Sequence, residues 1–163
     1  MTVVREDGVN ALRLTSDDSS FSIQKSVDID VVRYPFMSWR WNVTRLPVGG
    51  DFRKSKTDDQ AAQLFLAFSR TRAIVSIWDT SAPQGLAANA AAPPFMTIKA
   101  VVVRSGGSET GRWLTETRNV YNDFKKLFGR EPQSVGGIRI QINSQHTSSA
   151  AESYFADLVF RSQ

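Results

Sequence analysis

The length, composition and charge of the chain exclude several classes of protein. Its 163 residues are enough for a core without metal or disulfides, so we expect one domain over residues 1–163. Cysteine is absent, which excludes a disulfide scaffold, a thiolate metal site and a cysteine nucleophile. The net charge of +4 is too small to predict nucleic-acid binding. No long apolar run is present, so we expect neither a membrane span nor a signal peptide in this chain.

The first half of the chain has the pattern of short strands separated by polar turns. The clearest strand is 37–43, where Met37, Trp39, Trp41 and Val43 alternate with polar residues. Because this apolar set shares one face of the strand, we interpret both tryptophans as core residues. Other strands of the first half are predicted before residue 6 and at 10–14, 21–24, 27–32, 60–68 and 73–78.

The second half continues this pattern after a stretch without periodicity. Residues 80–95 are rich in alanine, proline and glycine, which predicts a long surface loop. Further strands are predicted at 97–103, 113–116, 138–142 and 154–160. About nine or ten short strands with frequent turns are typical of an antiparallel β-sandwich.

One segment, 118–132, carries a helical pattern instead. Its apolar residues fall on one helical stripe: Val120, Phe124, Leu127 and Phe128. Asn119 suits the N-cap, and Gly129 suits the left-handed position after the last turn. A helix this short is marginal alone, so we expect one short helix near 120–128, docked on the sandwich.

Several short motifs occur along the chain in a characteristic order. They are Trp39-Arg40-Trp41, Leu46-Pro47, Asp58 to Ala62, Trp78, Trp113 to Asn119, Asp123, Phe128 to Pro132 and Tyr154 to Asp157. In this order the chain resembles the bacterial family of domain of unknown function 3047. The resemblance implies an all-β, jelly-roll-like sandwich similar to carbohydrate-binding modules, with no assigned reaction and a periplasmic or secreted location. The chain departs from the family pattern in two ways. We expect it to begin late, without one edge strand of the family. The 143–147 turn is polar where the family would place acidic residues.

Candidates for catalysis all have simpler interpretations. His146 is the only histidine, and without a glycine-framed serine we interpret it as an exposed loop residue. Glycoside hydrolysis needs two carboxyl groups, one protonated and one ionised. Asp58 and Asp59 are adjacent and would face opposite ways on a strand, so we interpret them as part of a turn or a salt bridge. The candidate acids for this chemistry are Asp58, Asp59, Glu116, Asp123 and Glu152. No catalytic residue is assigned.

Flat aromatic side chains, which could stack on a sugar ring, are the basis for predicting a ligand-binding surface. With neighbouring polar groups that could bond hydroxyls, the predicted ligand-binding residues are Trp113, Arg118, Asn119, Tyr121 and Trp78. Two alternatives stay open, because Arg118 can instead neutralise Asp123 or Glu116, and Asn119 can simply cap the helix.

No metal site or cofactor is predicted. Asp157 and the Glu6-Asp7 turn could offer oxygen ligands to calcium, but they lack a regular ligand spacing. The resemblance, through its carbohydrate-binding-module-like fold, implies a non-catalytic module that binds a saccharide or similar polar ligand. The alternatives are a carbohydrate-active hydrolase or lyase, and a structural or protein-interaction domain.

Overall fold

The computed structural model describes residues 1–163 and contains eleven β-strands, one α-helix and one short 3-10 helix, Ser55–Thr57. The strands are β1 Thr2–Glu6, β2 Val9–Asp17, β3 Ser20–Asp30, β4 Phe36–Arg45, β5 Ala62–Ala67, β6 Arg72–Asp79, β7 Ala87–Asn89, β8 Thr97–Ser105, β9 Leu114–Asn119, β10 Ser134–Asn143 and β11 Ala150–Arg161. The predicted all-β class is confirmed. The strand missed by the sequence pattern is β7, because three residues are too few to show an alternation.

The strands form two sheets, as predicted for a β-sandwich. The five-stranded sheet has the order β1-β2-β11-β4-β9, and the six-stranded sheet has the order β3-β10-β5-β6-β8-β7. All pairings are antiparallel except β6 with β8, which is parallel. A parallel pair needs a crossover connection, and the long 80–96 segment provides it.

The main core lies between the sheets and is built by the predicted alternation. Trp39 and Trp41 are 1% and 0% exposed, which confirms their core position. The Trp41 ring lies 5.8 Å from that of Trp78 on the opposite sheet. Leu64 and Ile142 of the six-stranded sheet belong to the same cluster. Burial of these large side chains supplies the main stabilisation of the fold.

A second, smaller apolar cluster covers the outer face of the six-stranded sheet. On β5, Leu64 points into the main core while Phe65 belongs to this second cluster. Phe65 packs there with Val75 and Ile98, beneath Phe52 from the preceding loop. The 80–96 segment adds partly buried side chains to the same cluster: Leu86, Ala88, Ala90 and Met96. Side chains from these two loops therefore rise above the outer face of the six-stranded sheet and border a depression on it.

The helix α1 spans Val120–Phe128, as predicted, and both of its caps form. The side-chain oxygen of Asn119 accepts the N–H of Asn122 at 2.9 Å. Gly129 has φ +66° and donates its N–H to the carbonyl of Lys125. The Phe124 ring docks 4.5 Å from the ring of Phe68, which ties the helix to the sandwich. The structure contains no helix that is long and apolar enough to cross a membrane.

The N-cap gives a first testable prediction. Asn119→Ala removes the acceptor for the Asn122 N–H and should lower the free energy of unfolding by about 1 kcal/mol. Asn122→Ala is the matched control, because Asn122 is exposed and alanine favours a helix interior. Urea denaturation measures both variants. Equal stability of Asn119→Ala and the wild type would contradict the capping role.

Candidate ligand-binding groove

A groove runs across the outer face of the six-stranded sheet. It consists of two adjoining cavities of about 530 Å³ and 210 Å³. Both cavities are lined by Phe65, Ile98 and Arg139, so the two lie side by side on this face. The antiparallel register of β3, β10, β5 and β6 decides which side chains meet in it.

Three rows of side chains cross these four strands. The small-residue row is Ser26, Gly137, Ala67 and Ala73. The arginine row is Gln24, Arg139, Phe65 and Val75. The amide row is Ser22, Gln141, Gln63 and Ile77. Each row is polar on β3 and becomes apolar toward β6, so the groove has a polar side and an apolar side.

The amide row is held by a buried asparagine. The side-chain oxygen of Asn143 accepts the side-chain N–H of Gln63 at 2.6 Å and the backbone N–H of Gln60 at 2.9 Å. Its amide nitrogen donates to the carbonyl oxygen of Asp58 at 2.8 Å. Asn143 is 5% exposed, so these bonds are shielded from water. They fix both Gln63 and the Asp58–Gln60 turn at one end of the groove.

The same end carries an imidazole held by a buried carboxylate. The side chain of Asp59 is 0% exposed and lies 3.1 Å from Nδ1 of His146. It also accepts the backbone N–H and the hydroxyl of Thr147 at 2.7 Å and 2.8 Å. A carboxylate oxygen accepts, so Nδ1 is assigned as the donor in this contact. His146 lies in a loop with its side chain 40% exposed, as interpreted from the sequence, and Asp59 has the structural role expected of it.

Asp58 is the only carboxylate among the residues that line the groove. Burial raises its pKa above the ordinary value, while a hydrogen bond from the Gln60 side chain and the nearby His146 oppose that shift. The other candidate acids for catalysis lie outside the groove, and three of them form ion pairs: Glu116 with Arg104, Asp123 with Arg118, and Glu152 with Arg13. A two-carboxylate site is therefore not assembled in this groove.

Comparison with known proteins decides the family. The model of the family described as "Protein of unknown function (DUF3047)" matches residues 1–159. The chain belongs to this family. A search among curated proteins found no match.

Solved structures with a similar fold are described as a xyloglucanase domain and as endoglucanases. The xyloglucanase domain of NopAA, a type three effector from Sinorhizobium fredii in complex with cellobiose, has a TM-score of 0.55 at 10% identity, covering 93% of this chain and 82% of that one. Endoglucanase 3 of Trichoderma harzianum, from family GH12, has a TM-score of 0.55 at 11% sequence identity, and the match covers 98% of this chain and 82% of that one. Endoglucanase cel12A of Rhodothermus marinus has a TM-score of 0.51 at 8% sequence identity, and the match covers 90% of this chain and 75% of that one. At such low identity the likeness shows the jelly-roll-like fold alone.

The ligand-binding residues predicted from the sequence lie outside the groove of this DUF3047 chain. Four of them lie on or beside the edge strand β9 of the five-stranded sheet and the start of α1: Trp113, Arg118, Asn119 and Tyr121. Trp113 packs against Tyr154, with the guanidinium of Arg40 over its ring. Trp78 is 0% exposed and donates its indole N–H to the carbonyl of Gly106. A ligand could reach Trp78 only if the core opened.

Three of these residues are occupied by contacts within the protein. Arg118 forms two hydrogen bonds to Asp123, at 2.6 Å and 2.8 Å, which is one of the two alternatives left open by the sequence. Asn119 caps the helix, which is the other. The hydroxyl of Tyr121 bonds Glu131. A ligand-binding role of this helix-side surface stays a prediction.

The groove residues themselves were missed by sequence reasoning. Arg139 and Gln141 alternate with isoleucines on β10, a pattern typical of an ordinary solvent-facing side of a strand. Their significance depends on Gln63 and Phe65, much earlier in the chain, being their partners in the sheet. That pairing is a matter of register, which one sequence does not reveal.

Proposed function

We propose that this DUF3047 domain is a non-catalytic module that binds an oligosaccharide in the groove of the six-stranded sheet. The observation that carries the proposal is the lining of two adjoining cavities by amides, hydroxyls and an aromatic ring. Amide and hydroxyl groups both donate to and accept from sugar hydroxyls, and apolar surface suits the faces of sugar rings. The likeness of fold to a xyloglucanase domain in complex with cellobiose supports the same class of ligand.

The dimensions of the groove favour an oligosaccharide over a single sugar. Its rows cross the four strands β3, β10, β5 and β6. With neighbouring strands about 4.8 Å apart, the rows extend over roughly 14 Å. A chain of linked sugars can therefore contact the amide row and the arginine row at the same time. The polysaccharide ligand also implies a periplasmic or secreted location, in line with the family resemblance, and fractionation of cells that express the natural gene tests this.

The second candidate is a carbohydrate-active hydrolase or lyase. It is favoured by one observation, the presence of Asp58, with its raised pKa, beside His146 at the same end of the groove. A carboxyl group kept protonated can act as a general acid, and an imidazole can act as a base. Against it stands the single carboxylate, because the usual glycosidase mechanism needs two. A structural or protein-interaction domain is the third candidate, which applies if no saccharide binds.

The binding proposal is tested on an oligosaccharide array with groove variants. Gln24→Ala together with Gln141→Ala removes two amide groups from adjacent rows and should weaken binding roughly 5- to 100-fold, at about 0.5 to 1.5 kcal/mol for each lost hydrogen bond. Gln133→Ala is the matched control, because Gln133 is exposed and does not line the groove. Full binding by the groove double variant would contradict the proposed site.

Two further arms of this experiment separate the alternatives. Trp113→Ala with Arg118→Ala tests the helix-side surface, and loss of binding in this folded variant alone would move the site there. Each bound oligosaccharide is also incubated with the wild type and with Asp58→Asn. Release of shorter sugars by the wild type, but not by the variant, would replace the binding module with the hydrolase or lyase.

A further inference from the structure

The larger cavity of the groove is cationic. Three basic residues line it, Lys25, Arg70 and Arg139, and no aspartate or glutamate does. None of the three takes part in a salt bridge within the protein. By contrast, six other arginines of this chain pair with acids: Arg13, Arg40, Arg53, Arg104, Arg112 and Arg118. We refer to this cavity as the cationic end of the groove.

Arg139 is the unusual member of this set, because it is partly buried and lacks an acid. Its Nε is enclosed by the protein and has no hydrogen-bond acceptor. Burial alone lowers the pKa of the guanidinium, since no carboxylate opposes the shift. An unpaired and partly desolvated charge costs stability, and an anionic partner would offset that cost.

The position of the Arg139 side chain favours such a partner. Its guanidinium lies over the Phe65 ring, 3.9 Å from the centroid. Stacking on the ring restrains one face of the guanidinium, while the donors of its two terminal nitrogens lie in its plane and point away from the ring. Arg139 lines both cavities, so a ligand that spans the groove passes this group.

The floor beside Arg139 leaves space for an acid group. The small-residue row lies next to the arginine row, and its members on β10, β5 and β6 are Gly137, Ala67 and Ala73. No long side chain therefore fills the cavity from below at this point. A planar carboxylate can enter and meet the guanidinium with two parallel hydrogen bonds, the geometry that arginine favours.

We propose that the ligand is an acidic oligosaccharide, whose anionic group binds Arg139 at the cationic end while its hydroxyls bind the amide row. The inference rests on the proposed saccharide-binding function and names the chemical class of its ligand. Arg70 is exposed and contributes longer-range attraction to the same anion, whereas Lys25 alternates with Gln24 and Ser26 on β3 and points to the other face. Carboxylated and sulfated sugars share this chemistry.

The test compares charged and neutralised forms of the same sugar by calorimetry. The probes are hexamers of galacturonate, mannuronate and glucuronate, each beside its methyl ester, together with a heparin-derived sulfated hexamer and neutral cellohexaose. We expect at least one acidic hexamer to bind about 10- to 100-fold more tightly than its uncharged counterpart, as for hydrogen bonds to a charged group. Preference for uronate or for the sulfated probe identifies the source of the anion.

Variants assign that preference to the cationic end. Arg139→Gln should remove most of the preference for the charged form, and Arg139→Lys should restore part of it, since lysine keeps the charge but not the planar fork. Arg70→Gln leaves Arg139 in place and should reduce the salt dependence of binding. The control is Arg161→Gln, an exposed arginine outside the groove. Thermal unfolding of Arg139→Gln should not shift downward by more than a few degrees, because an unpaired charge is removed.

The outcomes separate this inference from the proposed function. If cellohexaose or the methyl esters bind as tightly as the acidic hexamers, the acidic ligand is overturned and the saccharide-binding function survives. An acidic preference that Arg139→Gln leaves intact also overturns the role of the cationic end. If no probe binds, both the saccharide-binding function and its acidic ligand are overturned.

Discussion

Replacing Trp78 with alanine is expected to lower the free energy of unfolding by about 3 to 5 kcal/mol, the range for truncating a fully buried tryptophan. Trp78 has no exposed surface, and its ring packs near that of Trp41 at the centre of the main core. The truncation leaves a large cavity and removes the donor to the Gly106 carbonyl. Urea denaturation followed by far-UV circular dichroism measures the loss.

The control for this prediction is Trp113→Ala. Trp113 is partly exposed and packs mainly on Tyr154, so its truncation should cost clearly less than that of Trp78. Native stability in Trp78→Ala, combined with lost saccharide binding, would contradict the core role and support a direct contact with the ligand.

Replacing Asp59 with alanine is expected to lower the free energy of unfolding by about 3 kcal/mol and to weaken saccharide binding as well. Its buried carboxylate accepts two hydrogen bonds from Thr147 and contacts Nδ1 of His146. Hydrogen bonds to charged groups contribute about 1.5 to 3 kcal/mol each, and their loss leaves buried donors unpaired. The 144–148 loop would keep its bonds through Ser144 but lose those from Thr147 to Asp59, and His146 would lose the carboxylate that holds it. Denaturation and calorimetry on the same samples measure both effects.

The neighbouring Asp58 provides the matched control, because its replacement should not lower the free energy of unfolding as that of Asp59 does. Burial raises its pKa, so the folded protein holds this proton more tightly than the unfolded chain does. Its contribution to stability therefore falls as pH rises from the unfolded pKa through the folded one. Asp58→Asn removes the buried charge and should be at least as stable as the wild type at neutral pH, with the difference disappearing in acid. A large loss of stability in Asp58→Asn at neutral pH would contradict this assignment.

Local features of this chain were predictable from the sequence because they depend on neighbours. The helix at Val120–Phe128 follows from its apolar stripe, and Asn119 and Gly129 cap it because of their own side-chain and backbone chemistry. The core positions of Trp39 and Trp41 follow from alternation along one strand. The resemblance of ordered motifs along the chain predicted the jelly-roll-like sandwich correctly.

The groove was not predictable because it depends on distant pairings. Gln63 and Gln141 become partners only through the register of β5 and β10. Asn143, which holds Gln63, is the last residue of β10 and looks merely polar in the sequence. The crossover formed by 80–96 covers part of the outer face, and its composition shows no periodicity that would place it there. The binding prediction was based on exposed aromatic residues and therefore pointed to the surface beside the helix. There Arg118 and Asn119 already have partners within the protein.

The fold of this chain resembles that of endoglucanases, but the side chains that line its groove do not form a two-carboxylate site. Its solved relatives include endoglucanases, but acids of this chain such as Glu116 and Asp123 bind arginines instead of lining the groove. A fold can host several functions, so the groove residues carry the functional proposal rather than the likeness of fold.

The most direct test of saccharide binding in the groove is an NMR titration of the 15N-labelled domain with the tightest-binding hexasaccharide. The proposal predicts the largest changes in the side-chain amide signals of Gln63 and Gln141 and in the backbone signals of β3, β5 and β10. Changes confined to Trp113, Tyr121 and the start of the helix, or no change at saturating sugar, would contradict it.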